Sequence, residues 1–153
     1  MVQYFGLAIL IICADQGLKY WIVSNISLNQ TQTVVPGLLS LTHLRNTGAA
    51  WSILEGQRWF FYVITLVAVA IICYLLFTQG KKNWLFALGL SFMLAGAIGN
   101  FIDRLRLGYV VDMFQLDFIN FPIFNIADSS LTIGVILIFC YLIFFDEKRG
   151  TTA

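Results

Sequence analysis

Three carboxylates lie where an apolar chain has least reason to keep them. They are Asp103 in Gly99-Asn100-Phe101-Ile102-Asp103-Arg104, Asp112 in Val110-Val111-Asp112, and Asp128 in Asn125-Ile126-Ala127-Asp128-Ser129-Ser130. An acid at the end of a stretch greasy enough to cross a bilayer is expensive to desolvate unless it is paired or used, so each is a functional candidate. Asp112 is flanked by Val110, Val111, Met113 and Phe114. Apolar surroundings of that kind raise a carboxylate's pKa toward the range of a general acid. Asp103 abuts Arg104 and stands near Arg106, which suits a structural salt bridge better than proton transfer. Asp128 precedes an apolar run, where the start of a helix favours negative charge, so it reads either as an N-cap or as a second functional acid.

The 15 residues between Asp112 and Asp128 let the chain fold back and bring the two together. Two close carboxyls cannot both ionise cheaply and share a proton, which makes the pair an acid and a base at once. One member takes a proton from water as it attacks a carbonyl; the other donates to the carbonyl oxygen and later assists the leaving amine. That is peptide hydrolysis with no metal and no covalent intermediate. The helix start favours Asp128 as the anion and Asp112 as the proton holder, although coupled groups titrate as a pair.

These acids need a scaffold, and the composition says what kind. Of 153 residues, 59% are hydrophobic and only 11% charged, with a mean hydropathy of +0.84. Soluble domains carry roughly a quarter charged residues, so this is expected to be an integral membrane protein. A net charge of +1 gives no reason to expect a nucleic-acid partner. Cys13, Cys73 and Cys140 lie in apolar runs without metal-like spacing, and the single His43 has no second ligand nearby, so neither a metal site nor a cofactor is expected.

Four segments have spanning length, about 4–23, 59–77, 84–102 and 129–145, joined by outer loops 24–57 and 103–128 in one domain covering 1–153. The fold class predicted is an all-α four-helix membrane bundle. Asp15 and Lys19, four apart in the first span, share a face and can pair within the membrane. The first segment lacks the basic start and small-residue cleavage site of a signal peptide, so it is expected to stay as a helix. Lys81, Lys82, Lys148 and Arg149 crowd a tight loop and a tail, whereas Arg45, Arg58, Arg104 and Arg106 are spread over the long connections. That density places both termini in the cytoplasm and the acids at the outer interface. Trp21, Trp51, Trp59 and Trp84 fall near span ends, as interfacial anchors do.

Between the first two spans, Thr33 to Val35 and Leu38 to Leu44 around Pro36-Gly37 read as two short strands of a small surface sheet. The following Arg45-Asn46-Thr47-Gly48-Ala49-Ala50-Trp51-Ser52 is rich in small residues; it serves either as a helix cap or as a close contact with substrate. In the third span Ser91, Ala95 and Gly99 form a small-residue stripe, beside which run Gly96, Asn100 and Arg104. On residues alone, a small transporter or proton pathway and a membrane assembly protein stay open as alternatives to an enzyme.

Five ordered motifs nonetheless share one pattern: Asp15-Gln16-Leu18-Lys19, Arg45 to Ala50, Gly99-Asn100 to Arg104, Val110-Val111-Asp112, and Phe124-Asn125 to Ser130. In these, along almost the whole chain, the sequence resembles the lipoprotein signal peptidases, or signal peptidase II, four-span aspartyl proteases of bacterial inner membranes. The resemblance implies a catalytic dyad at Asp112 and Asp128, a polar shell of Asn46, Asn100, Arg104 and Asn125 with Gly48 in the outer loop, and Asp15 with Lys19 bracing the first span. It implies an active site near the periplasmic face that cleaves prolipoproteins just before a diacylglyceryl-modified cysteine. Membrane lipid and the inhibitory cyclic peptide globomycin are the further partners implied. A small periplasmic β-sheet and a short, mobile outer helix are implied within 24–57.

Overall fold

In the computed structural model, residues 1–48, 53–81 and 83–146 are described. Four helices carry the chain: α1 (Val2–Asn25), α2 (Arg58–Gln79), α3 (Trp84–Leu107) and α4 (Ile126–Tyr141), the last running on into a π-helical turn, Leu142–Asp146. All four are long and apolar enough to cross a membrane, α4 together with its continuation to Phe145. Their exposed faces are apolar, with Val63, Leu66 and Ile71 on α2 and Val135, Ile136 and Phe139 on α4 uncovered, as lipid-facing surfaces are. A three-stranded antiparallel sheet, β1 (Thr31–Val35), β2 (Leu39–Asn46) and β3 (Val110–Leu116) in the order β1-β2-β3, sits at one end of the bundle.

α3 is the central post. Ser91, Ala95 and Gly99 turn toward α1, where the Ser91 hydroxyl donates to the Tyr4 carbonyl. Gly89 and Gly96 turn toward α4, which answers with Gly134. A Cβ at Gly134 would lie 2.6 Å from Met93 Cγ and 2.7 Å from the Gly89 carbonyl, so only glycine allows this approach. Without water to drive helices together, such close backbone packing supplies much of the association between spans. Ala8, Ile72, Leu76, Leu90 and Leu94 fill the space among α1, α2 and α3, while Ile22, Ile26, Val111 and Met113 seal the sheet onto the end of α1.

At the sheet end the helices run past the spans expected from hydropathy, and this corrects the predicted outer loop 103–128. Asp103 lies inside α3, which ends only at Gly108, held at φ +81° with its N–H on the Arg104 carbonyl. Residues 110–116 form a third strand rather than loop. α4 begins at Ile126, so Asp128 is a helical residue three past the Asn125 N-cap and not the cap itself. Outside the described residues lie Ala49, Ala50, Trp51 and Ser52, where part of the expected outer helix falls, and Lys82, Lys148 and Arg149. Residues 53–56 form a turn.

Because the α3–α4 seam admits no side chain at its glycines, Gly134→Ala should lower stability by about 1–3 kcal/mol, the usual effect of overpacking. Gly17→Ala, with nothing within 4 Å of its Cβ position, should leave it unchanged or slightly raised. Thermal unfolding in detergent separates the two outcomes.

Candidate active site

The register of β2 on β3 sets Leu44 opposite Asp112 and Asn46 opposite Val110, which brings the Asn46 side chain within reach of the Asp112 carboxylate. A short bridge then reverses the chain onto β3: Met113 and Phe114 both donate to the Phe124 carbonyl, and Phe124 donates to Phe114. Asn125, the next residue, is thereby delivered to Asp112, and α4 starts at once. Its start is a capping box, in which Asn125 Oδ1 accepts the Asp128 N–H at 2.9 Å and Asp128 Oδ2 accepts the Asn125 N–H at 3.2 Å.

The result is that every oxygen of two carboxylates is addressed by one N–H donor. Asp112 Oδ1 receives Asn125 Nδ2 at 2.6 Å and Oδ2 receives Asn46 Nδ2 at 2.9 Å. Asp128 Oδ1 receives Asn100 Nδ2 at 2.7 Å, and its Oδ2 the backbone of Asn125. The amide orientations are not arbitrary, because each asparagine oxygen is claimed by a group that can only donate. The Gly48 N–H takes Asn46 Oδ1 at 2.9 Å, the Asp128 N–H takes Asn125 Oδ1, and the Lys19 ammonium takes Asn100 Oδ1 at 3.0 Å. Asn125 touches both acids and also donates to Asn100 at 3.1 Å, so one side chain joins the pair.

Both carboxylates face a cavity of about 550 Å³. Asn46, Gly48, Asn100 and Arg104 complete its polar wall, while Phe121, Pro122, Ile123 and Phe124 from the β3–α4 connection and Leu131 and Ile133 from α4 make an apolar one. The Arg104 guanidinium is steered onto the polar wall by two contacts, a hydrogen bond to the Gly48 carbonyl at 2.9 Å and the Phe61 ring 4.4 Å beneath it. Burial pushes the Asp112 carboxyl up to about 7, and the charge of Asp128 adds to the rise, against the lowering hydrogen bonds from Asn46 and Asn125 and the Lys19 charge. The negative charge of Asp128 thus disfavours ionisation of Asp112.

Asp15, Lys19 and Asp103 lie behind this wall. Lys19, 3% exposed, pairs at 2.9 Å with both Asp15 and Asp103. Thus the partner of Asp103 is Lys19, not the adjacent Arg104 or Arg106, because Arg104 turns to the cavity and α1 packs on the opposite side of α3. Asp15 Oδ1 accepts the Ala127 N–H at 2.9 Å, an otherwise orphaned donor in the first turn of α4. Gly99 makes room for it, since a Cβ there would sit 2.9 Å from Asp15 Oδ2. Gln16 had no assigned role in the sequence, yet its amide donates to Asp15, to the Gly99 carbonyl and to Asp103, strapping α1 to α3. The signal for it is its place three residues before Lys19 on the same helix face.

Comparison with known proteins gives consistent results. The family profile described as signal peptidase (SPase) II matches residues 7–144. A lipoprotein signal peptidase of Enterococcus faecalis is 62% identical over 150 residues, covering 98% of this chain and 92% of the relative. That of Lactobacillus gasseri is 54% identical over 147 residues, 96% of each chain. Two solved structures titled as bacterial membrane enzymes, determined by the in meso method at 2.3 and 1.9 Å, superpose with TM-scores of 0.90 and 0.88 at 40% and 39% identity. They cover 94% and 95% of this chain and 88% and 95% of their own.

A carboxyl whose pKa is raised by folding stabilises the fold while protonated. Its contribution is present below the ordinary value of 3.8 and lost as pH rises through about 7. Thermal stability of the wild type should therefore fall across that window, and Asp112→Asn should flatten the slope; an equal slope in both would show that Asp112 does not carry the proton.

Proposed function

The chain belongs to the signal peptidase II family, and from that premise we propose that it cleaves diacylglyceryl-modified prolipoproteins just before the lipidated cysteine, using Asp112 and Asp128 as an aspartyl dyad. It is a peptidase and a multi-pass membrane protein. The observation that carries the proposal is the placement of two buried carboxylates on the polar wall of one cavity, with each of their four oxygens held by a separate N–H donor.

In the reaction proposed for this pair, Asp128 is ionised and Asp112 holds the proton. Asp128 takes a proton from a water molecule as its oxygen attacks the scissile carbonyl, and Asp112 gives its proton to the carbonyl oxygen, leaving a neutral tetrahedral diol. Collapse of the diol returns a proton from one hydroxyl to Asp112 while Asp128 passes its proton to the departing amine. The C–N bond breaks, a carboxylic acid and an amine leave, and the pair regains its starting state. Arg104 lines the cavity where it can hold a peptide carbonyl of the substrate, and Gly48 lets the substrate backbone approach.

The two-faced cavity supports the choice of substrate. A peptide bond beside a lipidated cysteine is polar chain joined to two acyl tails, and the cavity has one polar wall and one apolar wall continuing down α4. A scissile bond anchored in this way is held at the bilayer surface, so the sheet end is assigned to the periplasmic interface of the bacterial inner membrane, with both termini in the cytoplasm. Globomycin is expected to compete for the same cavity.

The purified chain should release the signal peptide from a synthetic diacylglyceryl prolipoprotein, read by mass spectrometry. Asp112→Asn and Asp128→Asn should each fold and lose at least ~100-fold in rate, the scale of a missing general acid or base. Either variant cleaving at near the wild-type rate contradicts the dyad.

A further inference from the structure

Lys19 does more than a brace would require. We propose that Lys19 is a positioning residue of the carboxylate pair, fixing which end of the Asn100 amide meets Asp128 and supplying the buried positive charge beside which the pair keeps a single proton. The proposal rests on the reading of Asp112 and Asp128 as the dyad.

A span is braced once an ammonium is paired with acids on its own helix and the next, and Asp15 and Asp103 accomplish that at 2.9 Å each. The third ammonium hydrogen points elsewhere, to Asn100 Oδ1 at 3.0 Å. An ammonium has no lone pair to offer, so Asn100 must turn its oxygen to Lys19 and its NH2 to Asp128 Oδ1, 2.7 Å away. Reversed, the amide would set NH2 against ammonium and oxygen against carboxylate, two repulsive contacts in a site largely screened from water. The same Asn100 oxygen receives Asn125 Nδ2, whose other short contact is Asp112 Oδ1. One amide therefore separates Lys19 from Asp128, and two separate it from Asp112.

The surrounding charges make this cation consequential. Around the pair stand Asp15 and Lys19 from α1 and Asp103 behind its wall, Arg104 from α3 beside it, and Tyr62 from α2, whose hydroxyl donates to the Arg104 carbonyl. Two structural and two site carboxyls thus share two cations. With both acids of the pair ionised the cluster would carry a net negative charge of two in a low-dielectric setting; one bound proton halves that. Removing Lys19 should make the pair hold its proton more tightly, and removing Asp103 should make it hold the proton less tightly.

The test is the pH dependence of kcat/KM for prolipoprotein cleavage, scaled to the folded fraction. The wild type should lose activity as pH rises through about 7. In Lys19→Gln that alkaline limb should move up by about one pH unit, with a plateau roughly tenfold to hundredfold lower because Asn100 is no longer held. Lys19→Arg should restore the limb to its wild-type position. Asp103→Asn retains the cation and should move the limb down. Profiles that superpose on the wild type after scaling would make Lys19 a brace only and overturn the proposal. If Lys19→Gln fails to fold, an unmoved limb in Asp103→Asn overturns it instead. A wild type with no limb near that pH, or an active Asp112→Asn, would reject the dyad itself and is thus a distinguishable failure.

Discussion

A backbone N–H and an ammonium can only donate, and that constraint organises the whole site. The Gly48 and Asp128 amides and the Lys19 ammonium each claim the oxygen of one asparagine, so Asn46, Asn125 and Asn100 have their NH2 groups left for Asp112 and Asp128. Side-chain amides are reversible by a simple flip, and nothing in their shape prevents it. What prevents it here is charge and polarity: a flipped amide would set donor against donor and oxygen against carboxylate among buried groups. The two acids are thus presented with fixed donors on the wall of the cavity, which is the preorganisation that the proposed proton transfer requires.

The helices serve that arrangement through close approach. Gly89, Gly96 and Gly134 let α3 and α4 touch backbone to backbone, which brings Asn100 to Asp128. Gly99 admits Asp15 to the first turn of α4, where it takes the Ala127 N–H. Three spans are joined by a polar cluster at one level, just below the sheet, while farther along they pack mainly through apolar side chains and glycine backbone, with the Ser91 hydroxyl on the Tyr4 carbonyl. β3 completes the arrangement by carrying Asp112, 1% exposed, over the ends of the helices.

Much of this was legible in the chain, for physical reasons that differ by element. The interiors of the four spans declare themselves by length and hydropathy, and two strands by the runs at 33–35 and 38–44 on either side of Pro36-Gly37, which the structure places at 31–35 and 39–46. Helix ends were misplaced because α3 keeps its hydrogen bonding for several residues beyond its apolar stretch, to a left-handed glycine that hydropathy does not register. The same error put Asp128 ahead of its helix instead of inside it. Asp103 was matched to Arg104 because adjacency in sequence was weighed above helix face: neighbours on a helix point about 100° apart, so the true partner lies on α1. β3 escaped notice because its Val-Val-Asp-Met-Phe run is buried on both sides and shows no alternation. Gln16 and the joining role of Asn125 depend on contacts between distant segments, which a linear reading holds no measure of.

The account stands on a pair of acids holding one proton between them at neutral pH. Infrared difference spectra of protein labelled with carbon-13 at the aspartate carboxyls report protonated and ionised groups separately. They should show a single protonated aspartate below about pH 7 that ionises through that value and is missing from Asp112→Asn. Spectra in which every aspartate is already ionised well below that pH would contradict it.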